Sequence, residues 1–297
     1  MLCYVLIALA IYLFNRREED AGSFFSFLFP KKIYTHPSAL LDIKIWLVII
    51  LTVKLGLFAL LYNVIYFGAG VLDRLLDFVW IVEESEVAPT LADRLIYTLI
   101  FTCCVDFGFF FMHYLQHKIS WLWAFHKVHH SAAVLTPLTA NRHHPVDYAI
   151  HAASAIVMGS IATMLFTRYH GTEIDSVTLF NTSAIHFFYY MSANLRHSHI
   201  WLSFGVGNRL FFSPAMHQIH HSIDPRHYDK NFGFVFSIWD WMFRCRYLPQ
   251  HREDITVGLI GNESGYNDFF DAMWRPFVEC FDSLKSTKRW RRRAAPL

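Results

Sequence analysis

Residues 95–130 read LIYTLIFTCCVDFGFFFMHYLQHKISWLWAFHKVHH. The part from Leu95 to Leu115 is apolar and long enough to cross a bilayer as a helix. It runs straight into His113-x-x-x-His117. Residues four apart on a helix lie one above the other on the same face, so two imidazoles there can point at neighbouring metal sites. Nine residues on comes His126-Lys-Val-His129-His130. Offsets of three and four again share a face, whereas the adjacent His129 and His130 diverge by about 100°. That divergence lets neighbouring histidines serve two different ions.

The same spacing returns later in the chain as His217-Gln-Ile-His220-His221, and Asn194-Leu-Arg-His197-Ser-His199 lies between. Isolated histidines near a membrane interface are read as structural, and His36, His151, His170, His186 and His251 fall in that class. The clusters do not. Neutral imidazoles beside hydrocarbon need partners, and crowded cationic ones repel. Two H-x-x-H-H motifs and one H-x-x-x-H at helical spacing therefore imply a metal site. No thiolate sits within them. The five cysteines (Cys3, Cys103, Cys104, Cys245 and Cys280) are odd in number, form no C-x-x-C pair and read as reduced core residues. Eight or more histidine ligands exceed the needs of one tetrahedral zinc, so two ions sharing a cage fit better. Iron would make the site redox-active. Zinc remains compatible with the ligand type.

Working outward, the chain is 54% hydrophobic and only 17% charged, and the excess sits in long runs rather than in one soluble core. Met1 to Phe14 is a short anchor or an interfacial helix, with Arg16 and Arg17 after it. Ile45 to Phe67 is a candidate span preceded by Lys31, Lys32 and Lys44, which places its start on the cytoplasmic side. The acidic stretch Gly68 to Asp93 belongs on the far side, and Leu95 to Leu115 returns. Val146 to Phe166 and Ile174 to Tyr190 form a third and fourth segment joined by a turn over 167–172. The expected fold is all-α: a polytopic membrane bundle of about four transmembrane helices with a cytosolic, histidine-rich helical cap. Every dense histidine motif then falls on the cytoplasmic face. The domain reading is an N-terminal anchor and spans over 1–94, a metal-bearing unit over 95–250, and a cytosolic tail over 251–297. The basic run from Lys285 to Arg293 fits a solvated cytoplasmic end or contact with anionic lipid. With a net charge of +2 and so apolar a composition, a nucleic-acid partner is excluded.

At these residues the chain resembles the fatty acid hydroxylase/sterol desaturase superfamily of membrane non-haem di-iron oxidases. The three histidine boxes carry the resemblance, and the flanking text HKVHHS from 126, NRHHPVD from 141, NLRHSHIW from 194 and SPAMHQIHHS from 213 is similar to its bacterial-type branch. The likeness covers roughly 95–250, so that unit reads as the di-iron domain. It implies two iron ions, O₂ as co-substrate and a lipid substrate hydroxylated or desaturated at a C–H bond. It also implies an external electron donor, a reductase with a cytochrome b5-like or ferredoxin carrier, and residence in a bacterial inner membrane or the endoplasmic reticulum. It assigns the metal ligands to His113, His117, His126, His129, His130, His217, His220 and His221, with His197 and His199 as candidates for the remaining positions. No catalytic residue is implied beyond the metal ligands. His143, His144 and His227 stand second. Asp147 and Asp224 are read either as carboxylates that orient ligand imidazoles or as turn and helix-start residues. Asn231 and Gly233 read as a turn closing the cap. Candidate tunnel walls are Phe107, Phe109, Phe110, Phe111, Phe187, Phe188, Tyr189 and Tyr190. Alternatives are a sibling reaction, such as alkyl-ether monooxygenation or carotenoid hydroxylation, and a histidine-rich metal transporter, which would place its ligands near the bilayer midplane.

Overall fold

The structure is a computed structural model that describes residues 2–15, 22–54, 56–77, 87–179, 182–259, 266 and 268–285. The helices are α1 (Leu2–Asn15), α2 (Phe24–Leu28), α3 (Lys31–Tyr34), α4 (Pro37–Lys54), α5 (Leu57–Leu76), α6 (Leu91–Lys118), α7 (Ser120–His130), α8 (Pro145–His170), α9 (Ala184–Ala193), α10 (Pro214–His220), α11 (Ile238–Met242) and α12 (Phe269–Lys285). The β structure among the described residues is one antiparallel pairing of Thr178–Leu179 with Thr182–Ser183, plus isolated bridges. The fold is thus a helical, polytopic membrane protein. Among the described residues, three helices are long and apolar enough to cross a membrane: α5 over Ala59–Leu76, α6 and α8. A fourth crossing arises if Phe24–Tyr34 and Pro37–Thr52, bent by 89°, form one span.

Two expected spans take a different form. Ile45 to Phe67 is not one helix, because α4 ends at Lys54 and α5 starts at Leu57. Gly56 stands between them at φ 74°, a conformation that glycine adopts without the steric cost of a Cβ. Helix α5 then runs on through Asp73 and Arg74, which the sequence assigns to an acidic loop. Arg168 of α8 accounts for part of this: its Nε donates to Asp73 Oδ1 (2.7 Å) and its Nη2 to Asp77 Oδ1 (2.8 Å). Ile174 to Tyr190 is not a span either. Asp175, Ser176, Thr178, Asn181, Thr182 and Ser183 interrupt its apolar pattern, and such side chains offer the backbone alternatives to helix. The result is the short strand pair followed by the ten-residue α9. The turn read over 167–172 begins only at Gly171 (φ 69°), after α8 has continued to His170.

The longest helices, α6 and α8, form the frame. Thr90 and Asp93 make a reciprocal capping box that starts α6. Gly108 brings α8 close: a Cβ there would stand 2.9 Å from the Ser154 carbonyl oxygen. Ser154 Oγ donates to the Gly108 carbonyl across that contact (2.6 Å). Helix α7 turns off at Ile119, which is extended, and α12 packs along it. Arg142, buried, locks this corner by donating to Asp42 Oδ1 (2.8 Å) on α4 and to the Val128 carbonyl (3.0 Å) near the end of α7. Helix α1 buries Tyr4 and Ala8 against Leu28, Leu195 and Ile200, so it backs the loop that carries His197.

Candidate metal centre

The histidines arrive from four directions. Helix α6 supplies His113 and His117 on its last turns, and α7 supplies His126, His129 and His130. The loop after α9 supplies His197. Helix α10, started by Ser213 at its N-cap and Pro214 at its first position, supplies His217, His220 and the adjoining His221. They sort into two buried groups. His113, His117, His126, His130 and His220 form one; His129, His197, His217 and His221 form the other. Within each, one potential ligand nitrogen per residue lies within 4.8 Å of every other. The adjacent pairs divide as their spacing predicts: His129 and His130 go to different groups, and so do His220 and His221. His113 and His117 join the same group rather than neighbouring ones. The groups touch, with the His130 and His221 rings stacked at 4.5 Å.

The donor atoms have the geometry of a metal shell. In the four-histidine group the Nε2–Nε2 separations are 3.1 Å for His197–His129, 3.1 Å for His197–His221, 2.8 Å for His217–His197 and 3.1 Å for His221–His217. Nitrogens about 2.0–2.1 Å from one ion at right angles sit about 3 Å apart. A neutral imidazole has a single N–H, so this mutual contact cannot be satisfied by hydrogen bonds alone. In the other group His130 Nε2 lies 3.1 Å from both His117 Nε2 and His220 Nε2. The buried Nε2 of His113 has no hydrogen-bond partner. Burial, then the neighbouring imidazoles, hold His129, His130, His217 and His221 well below the usual histidine range; burial also lowers His197, followed by His143 and Arg196. Neutral imidazoles are the form that binds metal.

The opposite ring nitrogens are anchored. His113 Nδ1–H donates to the Phe232 carbonyl (3.0 Å) and His220 Nδ1–H to the Lys230 carbonyl (2.9 Å). Since a carbonyl only accepts, these bonds fix the proton on Nδ1 and the lone pair on Nε2, the tautomer that binds an ion through Nε2. His126 Nδ1 meets Asp147 Oδ1 at 3.2 Å. Asp147 also receives Gln116 Nε2 and His143 Nδ1, each at 2.5 Å. Asp147 therefore orients the His126 imidazole. Asp224 caps the short turn Pro225–His227 and pairs with Arg226. His199 joins neither group: its Nε2 bonds the Phe27 carbonyl at 2.7 Å. His227 faces Glu253 (3.2 Å), and His144 caps α8 through Val146 N.

A cavity of about 400 Å³ opens beside the groups. Its walls include Phe109, Ala152, Tyr189 and Phe234, with Asn194 and Arg196 as polar members. Of the expected tunnel aromatics, Phe109 and Tyr189 face it. Phe107, Phe110 and Phe111 instead pack around Phe243. The side chains of Phe188 and Tyr190 lie outside the described residues. His151, read as structural, also lines the cavity, as does His143, stacked on His129 at 4.2 Å.

Several supports of the site are residues other than its histidines. Asp106 accepts from Val235 N (2.6 Å), Phe236 N (3.0 Å) and Trp239 Nε1 (2.7 Å). A lone carboxylate inside an apolar span was the available signal. Asp240 accepts from Phe232 N (2.6 Å) and Gly233 N (3.0 Å), and burial pushes it up to about 7. Gln218 Nε2 donates to the carbonyls of Leu195 (2.9 Å), Ser198 (3.0 Å) and Ile200 (2.9 Å), which shapes the loop holding His197. Arg196 packs against Tyr189, Phe212 and Phe234, and burial lowers it to about 9.

Residues 98–245 match the sequence profile of the family described as fatty acid hydroxylase. The chain belongs to the fatty acid hydroxylase/sterol desaturase superfamily. Relatives include an alkylglycerol monooxygenase of Caenorhabditis elegans, 28% identical over 57% of this chain and 31% of that protein. An ornithine lipid hydroxylase of Rhizobium tropici is 26% identical over 58% and 47%. A Delta(7)-sterol-C5(6)-desaturase of Nicotiana tabacum is 29% identical over 50% and 48%. In these three alignments the matched region spans half or less of the relative's length. No solved structure matches the chain.

Proposed function

We propose that this superfamily member is a membrane di-iron oxidoreductase that uses O₂ to hydroxylate or desaturate a C–H bond of a lipid. One observation carries the reading: nine buried imidazoles converge in two touching groups beside an apolar-walled cavity. The nine are His113, His117, His126, His130 and His220 for one ion, and His129, His197, His217 and His221 for the other. Bound there, two iron ions supply the redox chemistry that couples O₂ to C–H oxidation.

The chain's own residues do the positioning. The carbonyls of Phe232 and Lys230 and the Asp147 carboxylate hold three ligand rings in the metal-binding tautomer. Phe109, Tyr189 and Phe234 offer an acyl chain an apolar wall and keep water from the reacting carbon. Electrons come from a separate reductase and carrier protein, so purified protein with O₂ and substrate alone stalls after at most one turnover. In this reading the cage faces the cytoplasm, which the lysine-rich approach to α4 supports. A metal transporter would hold its ligands at mid-span, whereas His113 and His117 sit at the end of α6.

The alkylglycerol monooxygenase relatives favour one sibling reaction, oxidation at an ether-linked carbon. Lipid profiling of cells carrying wild-type or His220→Ala protein tests both readings. Loss of an oxidised or desaturated lipid, with its precursor accumulating, supports the oxidase. Accumulation of ether lipids selects the sibling. Identical lipid profiles in the presence of reductant and iron overturn the proposal.

A further inference from the structure

Helix α12 carries two faces with different fates. One is used internally. Ala272 and Pro276 are buried, Glu279 pairs with Lys127 of α7 (2.6 Å), and the Met273 carbonyl accepts from His144 Nε2 (3.1 Å). The other presents Phe270, Trp274, Phe281 and Leu284, which are 79%, 70%, 58% and 64% exposed, with Phe277 partly exposed among them. At about 100° per residue these five fall within an arc of about 80°. Soluble surfaces rarely display so continuous an apolar stripe without a partner.

We propose that this stripe is seated in the interface of an anionic bilayer. The charges around it name the occupant. Lys285 Nζ stands 4.1 Å from the Phe281 ring centroid at the edge of the stripe, a cation alongside an apolar face as in interfacial helices. The twelve residues that follow contain Lys288, Arg289, Arg291, Arg292 and Arg293 and no acid. Basic residues beside an amphipathic helix attract anionic headgroups. The placement also has a use. Helix α12 packs along α7, which carries His126, His129 and His130, so seating α12 fixes the height of the cage above the lipid.

The test is photo-crosslinking of the full-length chain. Benzoylphenylalanine replaces Phe270, Trp274 or Phe281 in protein reconstituted into vesicles of phosphatidylcholine, with or without phosphatidylglycerol. The expected result is a phospholipid adduct on the α12 peptide at all three positions. In mixed vesicles phosphatidylglycerol adducts exceed its mole fraction at least about twofold, and Gln at all five basic positions after residue 287 abolishes that excess. A chain–chain crosslink in place of lipid adducts assigns the face to a second copy and overturns the proposal. As a reading that needs no substitution, carbenes from lipid-soluble and water-soluble precursors are applied to the unmodified chain. Labelling of α12's stripe by the lipid-soluble reagent supports the seat; labelling only by the water-soluble one overturns it.

Discussion

Asp147 receives three side-chain donors, one of them the imidazole of His126, a proposed ligand. Replacing it with Asn swaps one acceptor oxygen for an NH₂ facing His126 or His143, and the His126 tautomer is no longer dictated. Such outer partners of metal ligands are commonly worth 10–100-fold in metal affinity or activity. Asp147→Asn is therefore expected to lower lipid oxidation by that range and to shed metal from the five-histidine group first. Metal content per chain together with product formation checks this; full retention of both would show that Asp147 is only a first-turn carboxylate of α8. His197 and His199 make a sharper pair. His197→Ala is expected to empty the four-histidine group, whereas His199→Ala leaves metal content near wild type, because its ring bonds the Phe27 carbonyl. Sequence spacing treats the two alike, since both are two residues apart in a loop. What separates them is the path of the chain, bent by Gln218 and backed by α1, and no local pattern encodes that.

At the scale of elements, helices α6, α7 and α10 were legible because their histidines repeat at helical offsets. Breaks were harder to read. Gly56 and the polar residues at 175–183 interrupt runs whose average composition still looks membrane-spanning. The segment 230–233 shows how an irregular element does precise work. Asn231 takes φ 60°, its Nδ2 donates to the Met216 carbonyl (3.2 Å), and its Oδ1 accepts from Tyr247 N (2.8 Å). The flanking carbonyls are then aimed at His113 and His220. Gly233 admits no side chain: a Cβ would stand 2.5 Å from Phe212 Cδ2, 2.7 Å from Asp240 Oδ2 and 2.9 Å from the Phe236 carbonyl oxygen. Gly233→Ala is expected to cost on the order of 1–3 kcal/mol, the usual range for overpacking. Because the displaced backbone includes Phe232, it should also weaken metal retention. Thermal unfolding in detergent with parallel metal analysis checks both, and an unchanged melting temperature would refute the packing argument.

Over the whole molecule, a cage of neutral imidazoles ties folding to protons. Burial holds His129, His130, His197, His217 and His221 well below the unfolded value of about 6.5. Above that pH these rings are neutral in both states and make no pH-dependent difference. Below it the unfolded chain binds protons that the folded, metal-free cage refuses. Stability then falls as pH falls, by about 1.4 kcal/mol per pH unit for each proton in the difference. With five such rings the slope can consume a typical stability of about 5–15 kcal/mol within one or two units. Metal-free protein should accordingly show a steep decline in melting temperature below about pH 6.5, which proton uptake by Asp240, raised to about 7, offsets only in part. Bound ions occupy the same lone pairs, so the holo protein should hold its melting temperature to lower pH. The gap between the two curves should widen as the pH drops. Parallel melts of chelated and metal-loaded protein in one detergent, taken in half-unit steps from pH 8 to 5, measure it. A metal-free curve as flat as the holo curve would mean that these imidazoles are not held neutral by the fold.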